Sequence, residues 1–242
     1  MKLYGKNPVI ERIKVNPKSI DRIYFNLNNS IEDISEFARK KGVKFEFLSN
    51  KEFSKLAGKH QTQGVIAQVE EFSYARLEDF LSVPDEEKYV LIALSDITDP
   101  QNLGSILRSV ACFGSSALII PRNRAVPVNE TVLKVACGGE NYVPVIQVTN
   151  LIPALEKAKK SGYWVAGAVV DGGENIGSFE LPFPLCLVIG SEGEGIRKGV
   201  TAQLDYKISL PMPGANLSLN AGVACAIFCY EISRQKNKKS QG

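Results

Sequence analysis

The sequence predicts an α/β fold built from two units, on three observations. From Tyr89 onward, segments that are apolar throughout alternate with segments of helical periodicity, the pattern of a parallel sheet covered on both faces. Residues 1–72 show a shorter alternation of strands and helices with their own turn signals. Between the two, "SYARLEDFLSVPDEEK" at 73–88 is acidic and carries no strand pattern, which places a linker and a short helix there.

In the first unit, residues 8–15 ("PVIERIKV") read as a helix and 20–27 ("IDRIYFNL") as a strand. Residues 30–42 read as a helix capped by Ser30 and stopped by Gly42, followed by a strand at 43–49, a helix at 50–58 and a strand at 64–72. In the second unit, 89–242, strands are expected at 89–97, 116–121, 143–148, 163–170, 184–190 and 205–212. Helices are expected at 102–114, 129–139 and 151–162 and from Ala221 onward, with Pro100 a first-turn residue.

Composition narrows the class. A chain that is 44% hydrophobic and 23% charged can bury a sizeable core. No run of about 18 apolar residues appears, and the opening "MKLYGKNPVIERIKVNP" has no uninterrupted apolar stretch of signal-peptide length, so a cytoplasmic protein away from membranes is expected. The five cysteines form no CxxC pair and sit among apolar residues, which suits buried reduced thiols. With one histidine, His60, there is little material for a metal site or a His-based triad, and no metal is expected. His60 itself reads as a surface or structural residue, or as an RNA contact.

Net charge is +3, unevenly spread. Residues 1–72 carry 13 Lys and Arg against 9 Asp and Glu, whereas the rest carries 16 against 17. A basic first unit on a near-neutral second one fits a nucleic-acid grip joined to a catalytic body, although a solvated surface is the commoner meaning of such an excess.

Ligands of parallel sheets collect beyond the carboxyl ends of the strands. Three polar or glycine-rich segments stand there: "SDITDPQNLGSILR" (95–108), "GSEGEGIR" (190–197) and "PMPGANLSLN" (211–220). Each has an ordinary reading. The first is a turn and helix start, but Arg108 lies inside an otherwise apolar helix face. The second lacks the GxGxxG spacing and the Walker lysine and puts carboxylates where a phosphate would sit, so a neutral or cationic ligand suits it better than a nucleotide pyrophosphate. In the third, Asn216, Ser218 and Asn220 exceed what one helix cap needs.

"DPQNLGSILRSVACFG", "LVIGSEGEGI" and "ISLPMPGANLSLNAGVACAIFCYE" resemble, in order, the three motifs of the SpoU (TrmH-like) RNA ribose 2′-O-methyltransferases. "YGKNPVIERI" and "KHQTQGVIA" resemble the N-terminal RNA-binding domain of that family's large-subunit ribosomal RNA guanosine methyltransferases, so the likeness covers nearly the whole chain. The resemblance implies an L30e-like first domain at 1–72, a linker at 73–88 and a SPOUT-type domain with a C-terminal trefoil knot at 89–242, an exception to unthreaded chains. It also implies a homodimer, S-adenosylmethionine as cofactor, and ribosomal RNA as partner. By motif position it gives Asn102, Arg108, Glu192, Ser218 and Asn220 as catalytic, and Gly190, Leu210 and Leu219 as cofactor-binding. Glu194 competes with Glu192 for the second-motif role; the family pattern Gly, any, Glu, two of any, Gly favours Glu192. Gly222 departs from the small hydroxyl residue of many relatives, and Lys134 and Glu140 fit interface or core-edge positions. Three alternatives are weighed: a transfer RNA guanosine methyltransferase, a non-catalytic RNA-binding ribosome-assembly factor, and a Rossmann NAD enzyme, for which the glycine fingerprint is missing.

Overall fold

The computed structural model describes residues 1–214 and 217–239, without the side chains of Glu86 and Lys239. The chain opens with strand β1 (Lys2–Tyr4), helix α1 (Lys6–Val15), β2 (Ile20–Asn26), α2 (Glu32–Lys40), β3 (Phe45–Leu48), α3 (Asn50–Ala57) and β4 (Val65–Val69). These strands form a mixed sheet in the order β1-β4-β2-β3. β1 was not expected from the sequence, because three residues are too few to show alternation; it pairs antiparallel with β4. α1 begins before Pro8, which occupies the first turn, where a missing N–H costs no helical bond. The expected Ser30 cap is corrected: α2 starts one residue later, with Ile31 at the N-cap position and no side-chain bond, while the Ser30 carbonyl accepts from Lys6 Nζ at 2.8 Å.

After the short helix α4 (Glu78–Leu81), the second part runs through β5 (Val90–Leu94), α5 (Pro100–Phe113), β6 (Ser116–Pro121), α6 (Glu130–Ala136), β7 (Val145–Val148), α7 (Leu151–Lys160), β8 (Trp164–Val169) and β9 (Glu174–Asn175). It finishes with β10 (Leu185–Ile189), α8 (Lys198–Thr201), β11 (Tyr206–Ser209) and α9 (Ala221–Lys239). The seven strands lie in the order β7-β6-β5-β10-β8-β11-β9 and all pair parallel. β5, β6 and β10 are buried at every position, as apolar strands covered on both faces must be. One core, with Leu103, Ile106 and Leu107 of α5 and Phe228 and Ile232 of α9, fills one face; a second, with Leu151, Leu155 and Ala158 of α7, fills the other. Cys186, Cys225 and Cys229 are buried and free, whereas Cys112 is exposed and Cys137 half-buried, so the expectation of buried thiols holds for three of the five. Burial pushes the Cys186 thiol up to about 12, which leaves it inert.

Polar bonds join the two sheets. Glu130 on α6 accepts from the Lys2 backbone N–H and, at 3.1 Å, from the Tyr4 hydroxyl, whose own pKa burial pushes up to about 12. Tyr142 donates to Glu11 at 2.6 Å, and Arg12 pairs with the buried Glu140 at 3.3 Å. Glu140 stands on a 3-10 turn, 139–141, whose Gly139 lies against α5; a Cβ there would fall 3.1 Å from Arg108 Cα.

Candidate active site

Three loops meet beyond the carboxyl ends of the central strands. The loop after β10 folds back on itself, with Ser191 and Gly195 exchanging backbone bonds at 3.3 and 3.0 Å. Gly190 permits this closure, because a Cβ on it would fall 2.2 Å from the Gly195 carbonyl carbon. Gly195 turns the chain at φ 64°, a left-handed conformation that glycine takes without strain. The fold-back projects Glu192 toward the starts of α5 and α9.

There Glu192 Oε1 accepts three N–H groups: Asn102 Nδ2 at 3.2 Å, the Ala221 backbone N–H at 3.2 Å and Asn220 Nδ2. Asn220 Nδ2 also donates to Asn102 Oδ1 at 2.8 Å. Asn220 Oδ1 meanwhile accepts from the backbone N–H groups of Gly222 and Val223 at 3.0 and 3.3 Å, capping α9. One asparagine therefore starts the last helix and joins three loops that are distant in sequence. Asn102 is set in the first turn of α5, after the Asp99 cap and Pro100.

Beside this network opens a cleft of about 280 Å³, lined among others by Gly190, Leu210, Leu219, Ser218 and Glu192. Its described lining includes carboxylates at Glu192 and Glu194 and no Lys or Arg. Glu194 reaches the cleft but takes no part in the bonds that Glu192 makes. The structure thus brings together Asn102, Glu192 and Asn220, and sets Ser218 with the three expected cofactor residues on the adjoining wall. Asn216 lies outside the described residues.

Arg108 is not brought into this cluster. It is exposed, six residues beyond Asn102 and hence about 9 Å further along α5, and its Nη1 meets Cys137 Sγ at 3.6 Å. Sequence reasoning missed the Arg12–Glu140 pair and Met212, which also lines the cleft. The Gly190–Gly195 spacing, which favoured Glu192 in the sequence, is also the spacing of the fold-back. His60 is exposed and stacks on Tyr4 with ring centroids 4.2 Å apart, while Lys134 is half-buried in the last turn of α6. No group of His, Cys, Asp and Glu suited to a metal ion occurs among the described residues, and no described helix is long and apolar enough to cross a membrane.

Comparison with known proteins adds the following. Residues 89–230 match the SpoU rRNA Methylase family, and residues 2–75 match the RNA 2′-O ribose methyltransferase substrate-binding family. A putative TrmH family tRNA/rRNA methyltransferase, YacO of Bacillus subtilis, is 37% identical over 96% of this chain and 95% of its own length. The 23S rRNA (guanosine-2′-O-)-methyltransferase RlmB of Ralstonia nicotianae is 36% identical over 97% of this chain and 96% of its own. Among solved structures, the SpoU methyltransferase AviRb from Streptomyces viridochromogenes, in complex with the cofactor AdoMet, superposes with a TM-score of 0.79. That likeness covers 98% of this chain and 91% of AviRb at 22% identity, and speaks for the fold alone.

Proposed function

The chain belongs to the SpoU rRNA methylase family, and on that premise we propose that it uses S-adenosylmethionine to methylate the 2′-oxygen of a guanosine ribose in large-subunit (23S) ribosomal RNA. The observation that carries this reading is the Asn102–Glu192–Asn220 network at the lip of a cleft whose described lining has no cation. Such a cleft suits a sulfonium and disfavours a pyrophosphate.

When bound, S-adenosylmethionine supplies a methyl group already activated by its sulfonium; the chain's task is to align a ribose hydroxyl with it and ease loss of the proton. Gly190, Leu210 and Leu219 hold the cofactor, largely through backbone groups. Glu192 anchors both asparagine amides and so fixes the lip against which the ribose docks, and Ser218, exposed at the same lip, offers a neutral hydroxyl to ribose or phosphate. Arg108 orients the 2′-hydroxyl and stabilises the developing alkoxide while the proton passes to water. The five N–H groups of a guanidinium suit it to donate to that oxygen.

The distance of Arg108 from the cleft supports a homodimer in which one protomer's Arg108 completes its partner's site. The α9 face bearing Val223, Ile227 and Tyr230, 48%, 41% and 57% exposed and spaced by four and three residues, supports the same reading. The knot is part of the proposal. It is supported by β10 entering between β5 and β8, and by α9 returning after β11 to pack on α5 and to bond Phe179 and Leu181 through Gln235. Residues 1–72 are the L30e-like RNA grip, joined through 73–88 to the methyltransferase domain at 89–242, in a cytoplasmic protein.

The test is methyl transfer from labelled S-adenosylmethionine to unmodified large-subunit ribosomal RNA and, in parallel, to unmodified transfer RNA, with nuclease mapping of the product. A single 2′-O-methylguanosine in the ribosomal RNA is expected. Label in transfer RNA alone would overturn the substrate, and no label despite cofactor binding would overturn the activity.

A further inference from the structure

The proposed methyl-transfer cleft offers RNA no cation among its described residues, yet each nucleotide flanking the target ribose brings a phosphate, and neutralising phosphates supplies much of the affinity for RNA. Those charges must be met outside the cleft. Two further cavities adjoin in sequence, each sharing lining residues with the one before it. The first, about 500 Å³, shares Glu194 and Ile196 with the cleft and adds Arg197 and Lys198. The second, about 170 Å³, shares Asn150, Arg197 and Val200 with the first and reaches Arg124 beyond the ends of β5, β6 and β7. Cleft and cavities thus form one track along the carboxyl edge of the sheet, changing from acidic to basic as it leaves the cofactor end.

The far pocket holds two arginines with donors that are unused among the described residues. Arg124 is exposed, held at φ 60°, and makes no hydrogen bond or ion pair among the described residues. Arg197 turns Nε toward Asp96 Oδ2 at 3.8 Å, leaving its two terminal nitrogens without a bond among the described residues. Asp96 is in turn fixed by the Ser95 hydroxyl at 3.0 Å, so the one carboxylate in the pocket orients an arginine. Asn150, on the wall shared by both cavities, caps α7 and turns that ten-residue helix's positive end to the track. Two guanidiniums with free fork nitrogens and a helix start suit a phosphate better than a base edge.

We infer that the Arg124–Arg197 pocket is a subsite for a backbone phosphate of the RNA strand, one or more nucleotides away from the methylated ribose. The inference rests on the RNA methyltransferase reading and adds to it a place where the strand is held. Mutation of this pocket acts on RNA affinity and its salt dependence, not on cofactor affinity.

The test measures binding of an in vitro transcript of large-subunit ribosomal RNA to the full-length protein over a series of salt concentrations. Variants are Arg124→Gln and Arg197→Gln, with Lys160→Gln at the far end of α7 as control. Each arginine variant is expected to weaken RNA binding on the order of tenfold at fixed salt and to lower the slope of log Kd against log salt by about one. Affinity for S-adenosylmethionine and the behaviour of the control stay as in the parent. Arg197→Gln gives up the Asp96 contact and could disturb the loop, whereas Arg124→Gln removes no bond of the fold, so an unchanged slope in Arg124→Gln overturns the subsite. The two readings fail separately: a parent protein that methylates no RNA sinks the activity, while an active parent whose slope survives Arg124→Gln sinks the pocket alone.

Discussion

Arg12 and Arg108 lie on either side of the 3-10 turn at 139–141, and the fold treats them in opposite ways. Arg12, its side chain 12% exposed, is paired at 3.3 Å with a fully buried Glu140 across the seam between the two sheets. Arg108, on α5 behind Gly139, is exposed, and its one hydrogen-bond partner among the described residues is the Cys137 sulfur at 3.6 Å. A buried charge is costly unless paired, and here the pairing is partial: Arg12 Nε and Glu140 Oε2 are buried without a hydrogen-bond partner among the described residues. The seam charge is paired within the fold, whereas the Arg108 guanidinium meets no carboxylate among the described residues.

The sharpest way to break that contrast is Arg108→Ala. Methyl transfer to ribosomal RNA is expected to fall roughly 10²–10³-fold, the usual loss for a positioned donor at a reacting oxygen. Thermal unfolding should change by less than about 0.5 kcal/mol, as for an exposed side chain whose contact within the fold is one long bond to a sulfur. Single-turnover transfer beside a melting curve reads both. Near-parental transfer would place Arg108 among ordinary surface residues and dissolve the distinction.

Arg12→Ala should do the reverse, costing about 3 kcal/mol in denaturant unfolding because it strands Glu140 in the seam. A pH series sharpens the point. Burial holds the Glu140 carboxyl above its ordinary value of 4.5, against the opposing hydrogen bonds and the charge of Arg12. As pH rises past 4.5 the unfolded chain gives up this proton before the folded one does. The Glu140 contribution to stability therefore declines over the window from 4.5 up to the raised value, and Glu140→Gln should flatten that decline. Glu11, across the same seam, has the opposite sign: hydrogen bonds from Lys14 and Tyr142 lower its pKa, so its contribution is lost as pH falls.

Much of this was legible in the sequence, for physical reasons. The parallel sheet showed because strands buried on both faces must be apolar at every position, and the start of α9 showed because two prolines and a polar cluster precede Ala221. β1 and β9 were not legible, since three and two residues cannot establish a period. Nor was the Arg12–Glu140 pair: two charged residues 128 positions apart give no local sign of meeting. The Asn102, Glu192 and Asn220 positions came from motif likeness, and only the coordinates bring their side chains into one network. The separation of Arg108 from that cluster was legible, since six residues of a regular helix turn it about 120° away from Asn102.

Asn220 is the residue at which the contrast should fail, because it serves structure and site through different atoms. Its Oδ1 caps α9, while its Nδ2 donates to Glu192 and Asn102. Asn220→Ala should cost about 1 kcal/mol of stability through the lost cap. Asn220→Ser keeps a capping oxygen and should recover most of that loss, but it lacks the amide donor and leaves Glu192 with one fewer partner. Methyl transfer by the serine variant should then stay as low as that of the alanine variant while its unfolding midpoint returns toward the parent. If serine restores transfer together with stability, Asn220 acts at the site only by starting the helix, and the network around Glu192 is structural in the same sense as the seam.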